Sequence, residues 1–183
     1  MPPFPGGADR STVLLTLGTA ADDREVLTRV VVATTALDVN VVVAPHQTDD
    51  LDMSRLDPEL VLVAGFVPMA DLLRSADLVV SAGGAGTVLS TLGAGLPSVL
   101  LPFGLDKPMN AERAAATGAA LVVTDPDAIG EAVAKVLGDE AYPAAAGRMA
   151  DEISAIDSPA RVVDILTERA VSRPSIRGGV PLP

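Results

Sequence analysis

Short apolar runs alternate with segments of helical periodicity along most of the chain. Aliphatic runs bounded by Gly, Pro or polar residues predict β-strands. Six such runs occur, at 12–17, 39–44, 60–63, 78–81, 98–101 and 120–123. Apolar residues at helical spacing predict helices at 22–37, 70–75, 88–94, 109–117, 128–137, 141–156 and 159–171.

This alternation predicts an α/β fold, a doubly wound, Rossmann-like parallel sheet with helices on both faces. The apolar residues, 49% of the sequence, are mostly Ala, Val and Leu, which favours this fold over an aromatic-rich β-sandwich. The 183 residues suit one domain, expected at 12–171, with a Pro/Gly-rich linker at 1–11 and a flexible tail at 172–183.

Composition excludes several classes of function. A net charge of −11 argues against nucleic acid and against an anionic membrane surface as partners. No apolar run is long enough for a transmembrane helix and no signal peptide is evident, so we expect a cytoplasmic protein. Without Cys, and with His46 alone in a polar loop, thiolate chemistry is excluded and neither a metal site nor a Ser/His/Asp triad is expected.

Candidate chemistry lies where predicted strands end, because ligands of such sheets bind beyond the carboxyl ends of the strands. The run Gly83-Gly84-Ala85-Gly86-Thr87 follows the fourth strand and enters a helix. Backbone N–H groups in such a turn approach a phosphate closely, and the helix dipole favours its negative charge. Thr19 follows the first strand and offers a hydroxyl at the same edge.

Each candidate also has a purely structural explanation. The glycines equally fit a tight packing turn, since they lack both a Walker lysine and the G-x-G-x-x-G spacing. Asp106, Lys107 and Asn110 offer donors and acceptors for a polyol, but Asp106 equally fits a helix cap. Phe66 and Val67 follow the third strand and could border a nucleobase, although such a Phe is more often a core residue.

Taken together, six motifs in order resemble one family, the carboxyl-terminal, donor-binding half of GT-B glycosyltransferases. The resemblance is strongest to the bacterial family-1 enzymes that glycosylate antibiotics and other natural products, and it covers about residues 10 to 170. The motifs are Leu17-Gly18-Thr19, Gly65-Phe66-Val67-Pro68, Ala76-Asp77-Leu78-Val79-Val80, Gly83-Gly84-Ala85-Gly86-Thr87, Gly93-Ala94-Gly95-Leu96-Pro97 and Leu105-Asp106-Lys107-Pro108-Met109-Asn110-Ala111.

The resemblance implies a nucleotide-sugar donor, dTDP- or UDP-linked, and no cofactor. Thr19 and the run from Gly83 to Thr87 would bind the diphosphate, and Phe66 and Val67 would border the base. Ser90 stands where the family often has a Glu that grips the ribose, and its shorter side chain is compatible with a deoxyribose. Asp106 and Lys107 match the family's sugar-binding Asp-Gln pair, with Lys in place of Gln.

Two departures from the family bear on catalysis. Ala82 stands where a His usually contacts the diphosphate, which removes one donor to the leaving group. The amino-terminal half, which supplies the acceptor site and the general base, has no counterpart in this sequence.

We therefore expect a donor-binding domain for inverting, metal-independent transfer to a small-molecule hydroxyl. Its partner is an amino-terminal acceptor-binding domain or a separate chain, and a homodimer is left open. Two alternatives remain, a non-catalytic nucleotide-sugar-binding helper subunit and a nucleotide-sugar epimerase.

Overall fold

The computed structural model describes residues 9–17, 24–44 and 53–172. Thr19, His46, and most of the expected linker and tail lie outside these residues. Within them, six parallel strands form one sheet in the order β3-β2-β1-β4-β5-β6. The strands are β1 (Thr12–Thr16), β2 (Asn40–Val43), β3 (Val61–Val63), β4 (Leu78–Ser81), β5 (Ser98–Leu100) and β6 (Ala120–Val122).

Helices connect the strands and follow the last of them. They are α1 (Arg24–Thr35), α2 (Met69–Leu73), α3 (Ala85–Gly93), α4 (Lys107–Ala116), α5 (Ile129–Gly138), α6 (Ala141–Ser154) and α7 (Pro159–Ser172), with single 3₁₀ turns at Met53–Arg55 and Pro126–Ala128. The predicted α/β fold with a doubly wound parallel sheet is confirmed. Each predicted strand and helix has a counterpart in the described chain.

Alternate strand residues face opposite layers of helices, as the two-residue period of a strand requires. Val13 and Leu15 point to one face, where α1 and α5 cover the sheet. Leu14 and Val79 point to the other face and pack with α2, while Leu100 packs there against α4. Because both faces are covered, each strand contains a continuous apolar run rather than alternating apolar and polar residues.

The central strands set the location of the site. β1 and β4 are neighbours, yet the chain leaves β1 towards β2 and β3 and leaves β4 towards β5 and β6. In sheets with this order, a crevice opens beyond the carboxyl ends of the strands where the connections diverge. The segment after β1 lies outside the described residues, so the β4 side of that crevice is the part that can be analysed.

The outer elements differ in how firmly they are attached. Arg29 on α1 pairs with Asp127 in the 3₁₀ turn before α5, and the hydrogen bond to that carboxylate raises the pKa of Arg29 above its ordinary value. Helix α7, by contrast, leaves Val163 61% and Leu166 58% exposed. No helix in the described segments is long and apolar enough to cross a membrane.

Candidate functional site

The glycine turn joins β4 to α3 at the carboxyl edge of the sheet. β4 ends at Ser81, and α3 begins at Ala85, three residues earlier than its apolar periodicity predicts. The predicted turn from Gly83 to Thr87 is therefore partly wrong, because its last three residues form the first turn of the helix. The low helix propensity of glycine predicted a loop at these residues. In the structure the helix begins earlier, and the Gly84 carbonyl accepts a 3.0 Å hydrogen bond from Val88 N.

Gly83 occupies a position that strongly favours glycine. Its φ is +80°, in the left-handed region that other residues rarely adopt. A Cβ atom there would lie 3.2 Å from the backbone oxygen of Lys107. Its N–H donates to the buried Oγ of Ser81 at 3.3 Å, a contact that the sequence analysis did not predict. The turn is therefore packed directly against the start of α4.

Gly84 and Gly86 border open space instead. Gly84 is the N-cap of α3, with extended backbone and no side chain to accept the free N–H groups of the first turn. A Cβ on Gly84 or Gly86 would meet no atom within 4 Å. Helix amino termini carry a partial positive charge and orphan N–H donors, so this end of α3 is suited to an anion.

The loop between β5 and α4 lies beside this turn. Gly104 and Leu105 both have positive φ, 65° and 55°, and Leu105 is 92% exposed. The following Asp106 is exposed and takes the N-cap position of α4, but its side chain makes no capping hydrogen bond. Asp106 therefore stands at the cap position, as its structural explanation predicts, but its carboxylate does not cap the N–H groups of the helix.

Asn110 connects this loop to the glycine turn. Its side-chain Nδ2 donates to the Gly83 oxygen at 3.2 Å and to Asp106 Oδ2 at 2.8 Å. Three of the predicted site elements, the glycines, Asp106 and Asn110, thus form one connected group. The two contacts of Asn110 are with protein atoms, so its nitrogen is already occupied.

Lys107 lies beside this group but is directed elsewhere. Its Nζ is 5.9 Å from the centroid of the Phe103 ring, within the range of a cation–π interaction. Ala82, the residue before the glycines, is only 3% exposed. No group of His, Cys, Asp and Glu that could hold a metal ion occurs among the residues the structure describes.

Two of the predicted base and ribose residues, Val67 and Ser90, border separate cavities next to α2. Phe66 is fully exposed, so the structural alternative for this residue, a place in the core, is wrong. Val67 borders a cavity of about 610 Å³ along β3, and Ser90 borders one of about 540 Å³ between α2 and α3. Arg74 borders both cavities, a location that the sequence analysis did not predict because nothing in its local pattern indicates it.

Comparisons with known proteins place these features in a wider context. A family model described as "Erythromycin biosynthesis protein CIII-like, C-terminal domain" matches residues 28–169. The chain is 33% identical over 173 residues to 3-alpha-mycarosylerythronolide B desosaminyl transferase of Saccharopolyspora erythraea, covering 90% of the chain and 41% of that protein. It is 35% identical over 173 residues to UDP-glycosyltransferase 2 of Phaeomoniella chlamydospora, covering 90% of the chain and 38% of that protein.

Solved structures agree with these sequence matches. Glycosyltransferase VinC in complex with dTDP superposes with a TM-score of 0.79 at 29% identity, covering 91% of the chain and 43% of VinC. Spinosyn rhamnosyltransferase SpnG complexed with thymidine diphosphate superposes with a TM-score of 0.77 at 30% identity, covering 89% of the chain and 46% of SpnG. The chain therefore spans less than half the length of each of these four proteins.

Proposed function

The chain belongs to the family of erythromycin biosynthesis protein CIII-like carboxyl-terminal domains, and from this premise we propose that it binds a nucleoside diphosphate sugar as the donor half of a glycosyltransferase. The observation that carries the proposal is the open amino end of α3, where Gly84 caps the helix without a side chain. Helix N–H groups and the helix dipole stabilise a phosphate there. Gly83, Gly84, Ala85, Gly86 and Thr87 form the proposed diphosphate site, with Thr19 as a further donor.

We propose dTDP as the nucleotide, with UDP as the alternative. Three structural relatives are complexes with thymidine diphosphate, while several curated relatives are named for a UDP-linked donor. Ser90 is short and exposed, which favours a deoxyribose that presents one hydroxyl fewer. The exposed Phe66 ring offers apolar surface to the base, and the Val67 backbone offers hydrogen bonds to its edge.

The transferred sugar is proposed to lie against Asp106, Lys107 and Asn110. One carboxylate oxygen of Asp106 accepts from Asn110, and the other is available to a sugar hydroxyl. The Asn110 oxygen is a further acceptor, because only its nitrogen is engaged. Lys107 would have to leave the Phe103 ring to reach the sugar.

The proposed reaction of the whole protein is an inverting displacement of the nucleoside diphosphate by a hydroxyl of a small natural product. The residues of this chain act on the leaving group, because N–H donors at the start of α3 stabilise charge that develops on the diphosphate oxygen. The general base that deprotonates the acceptor belongs, in this proposal, to an amino-terminal half or a separate chain. The transferase names of the relatives favour transfer over epimerisation.

Calorimetric titration with dTDP, UDP and GDP tests this proposal. We expect dTDP to bind most tightly and Gly84→Asp to abolish binding, because a carboxylate would occupy the phosphate position and repel it. Gly138→Asp is the control, since Gly138 is exposed and a Cβ there, as on Gly84, would have no atom within 4 Å. Absence of binding by all three nucleotides to the folded chain would contradict the proposal.

A helper subunit without catalytic activity is the second candidate. The observation in its favour is Ala82, which places a buried methyl group where the family's His contacts the diphosphate. Transfer should be measured with the chain combined with its amino-terminal half. Donor binding without turnover would favour the helper, and turnover would exclude it.

A further inference from the structure

We propose that Asn110 is a positioning residue, whose amide holds the Gly83–Gly84 peptide so that the Gly84 N–H faces the bound diphosphate. This inference rests on the proposed function and gives Asn110 a second role beyond a sugar contact. It starts from the two hydrogen bonds of the amide nitrogen, 3.2 Å to the Gly83 oxygen and 2.8 Å to Asp106 Oδ2.

The amide nitrogen of Asn110 has no donor left for a ligand. A primary amide carries two protons. The Gly83 carbonyl takes one and the Asp106 carboxylate takes the other. The two bonds therefore fix the plane of the amide group and leave only its oxygen for a substrate.

Because the peptide bond between Gly83 and Gly84 is planar, holding the Gly83 carbonyl also fixes the direction of the Gly84 N–H. A trans peptide is planar, and its C=O and N–H point in opposite directions. The Gly83 carbonyl points at α4, where Asn110 holds it. The Gly84 N–H must then point away from Asn110. The surroundings of Gly84 are open, since a Cβ on this residue would meet nothing within 4 Å. Without this bond, two successive glycines could rotate the peptide at little steric cost.

The same amide links two parts of the donor site. Asp106, a proposed sugar contact, and Gly83, part of the proposed diphosphate turn, are both hydrogen-bonded to one nitrogen. Removing the amide should therefore weaken binding of the diphosphate as well as of the sugar.

The test compares dTDP binding by the wild-type chain, Asn110→Ala and Asn110→Asp. Glu112→Gln, an exposed change on the same helix, is the control. We expect both Asn110 variants to bind dTDP about tenfold more weakly at pH 8, since a hydrogen bond that orients a ligand donor is lost. The control should bind as the wild type does.

A pH series separates positioning from a general loss of packing. In Asn110→Asp the ionised side chain cannot donate to the Gly83 carbonyl, but the protonated carboxyl can. The Asp106 carboxylate nearby should raise the pKa of the introduced carboxyl. The ratio of wild-type to Asn110→Asp affinity should therefore shrink as the pH falls from about 8 to about 5. The corresponding ratio for Asn110→Ala should stay constant.

The outcomes separate this inference from the proposed function. If the wild type binds none of the nucleotides, the proposed function fails. If the wild type binds dTDP and both variants bind equally well, the positioning role is overturned. If the variants do not fold, the positioning role is tested by measuring the exchange of the Asn110 side-chain protons in the wild type by NMR. Asn110 side-chain protons should then exchange at least about tenfold more slowly than those of free asparagine, and exchange at the free rate would overturn the role.

Discussion

Two adjacent glycines in the turn after β4 have opposite requirements. Gly83 is needed for its own backbone conformation, with positive φ and a neighbouring carbonyl at 3.2 Å from its Cβ position. Gly84 has φ −62° and ψ 139°, which any residue can adopt, and it borders open space. Gly83 is thus required by the conformation and packing of the turn, whereas Gly84 leaves open space for the proposed ligand.

This difference predicts separable effects of two alanine substitutions. Gly83→Ala should lower the free energy of unfolding by about 1–3 kcal/mol, because of the left-handed conformation and the close carbonyl. Gly84→Ala should change it by less than about 0.5 kcal/mol. Denaturant unfolding monitored by circular dichroism measures both. Equal stability losses would show that the two positions are equivalent.

The second half of this prediction concerns binding. Gly84→Ala should weaken dTDP binding about tenfold despite normal stability, because its methyl group enters the space proposed for the phosphate. Isothermal titration of the folded variant measures this. Unchanged affinity would place the diphosphate away from Gly84.

The sequence predicted where the glycine turn lies but not what surrounds it. A glycine-rich segment after an apolar run marks a turn at a strand end, and that location follows from local pattern alone. The Asn110 hydrogen bond joins residues 27 positions apart, and the Lys107 carbonyl approaches Gly83 only after α4 packs. Such contacts depend on how helices dock, which local propensity does not determine.

At the scale of elements, the sequence predicted which segments are strands and which are helices, but it placed the starts of some helices too late. The six strands were recognised because fully buried parallel strands are continuous apolar runs. Helices α3 and α4 begin earlier than predicted, at Ala85 and Lys107, since their first turns contain glycines or a proline. Pro108 lies in the first turn of α4, where its missing N–H costs nothing.

Helix α7 has mostly exposed side chains. Because Val163 and Leu166 are mostly exposed, the double change Val163→Asp and Leu166→Asp should alter the unfolding free energy of this chain by less than about 0.5 kcal/mol. The fully buried Val133→Ala on α5 should cost about 1–3 kcal/mol. Chemical denaturation measures both. A large loss in the α7 variant would mean that α7 packs on the domain.

The same α7 variant is informative in a longer protein. If an amino-terminal half covers α7, the double change should lower the Tm of the joined protein by several degrees, since about 1–2 kcal/mol of apolar burial would be lost. Differential scanning calorimetry of the joined protein provides the measurement. An unchanged Tm would show that α7 stays exposed there.

At the scale of the whole molecule, charge opposes the proposed ligand. The chain carries a net charge of −11 and a nucleoside diphosphate is also anionic. Salt screens this long-range repulsion but leaves short N–H contacts at the helix end largely intact. We expect the association rate of dTDP to rise about two- to threefold between 20 and 200 mM salt. A rate that falls with salt in stopped-flow measurements would point instead to a site with an excess of cations.

The strand order has a practical consequence for recombining enzymes. All proposed contacts to the donor follow strands of one sheet, and the proposed acceptor site and base belong to another part of the protein. The preference for the donor nucleotide sugar should therefore be determined by this chain alone. A hybrid that joins this chain to the acceptor half of a relative is expected to keep this chain's nucleotide choice and the relative's aglycone choice. Sugar and aglycone preferences would then be exchangeable parts, to be combined by splicing at the linker rather than redesigned residue by residue.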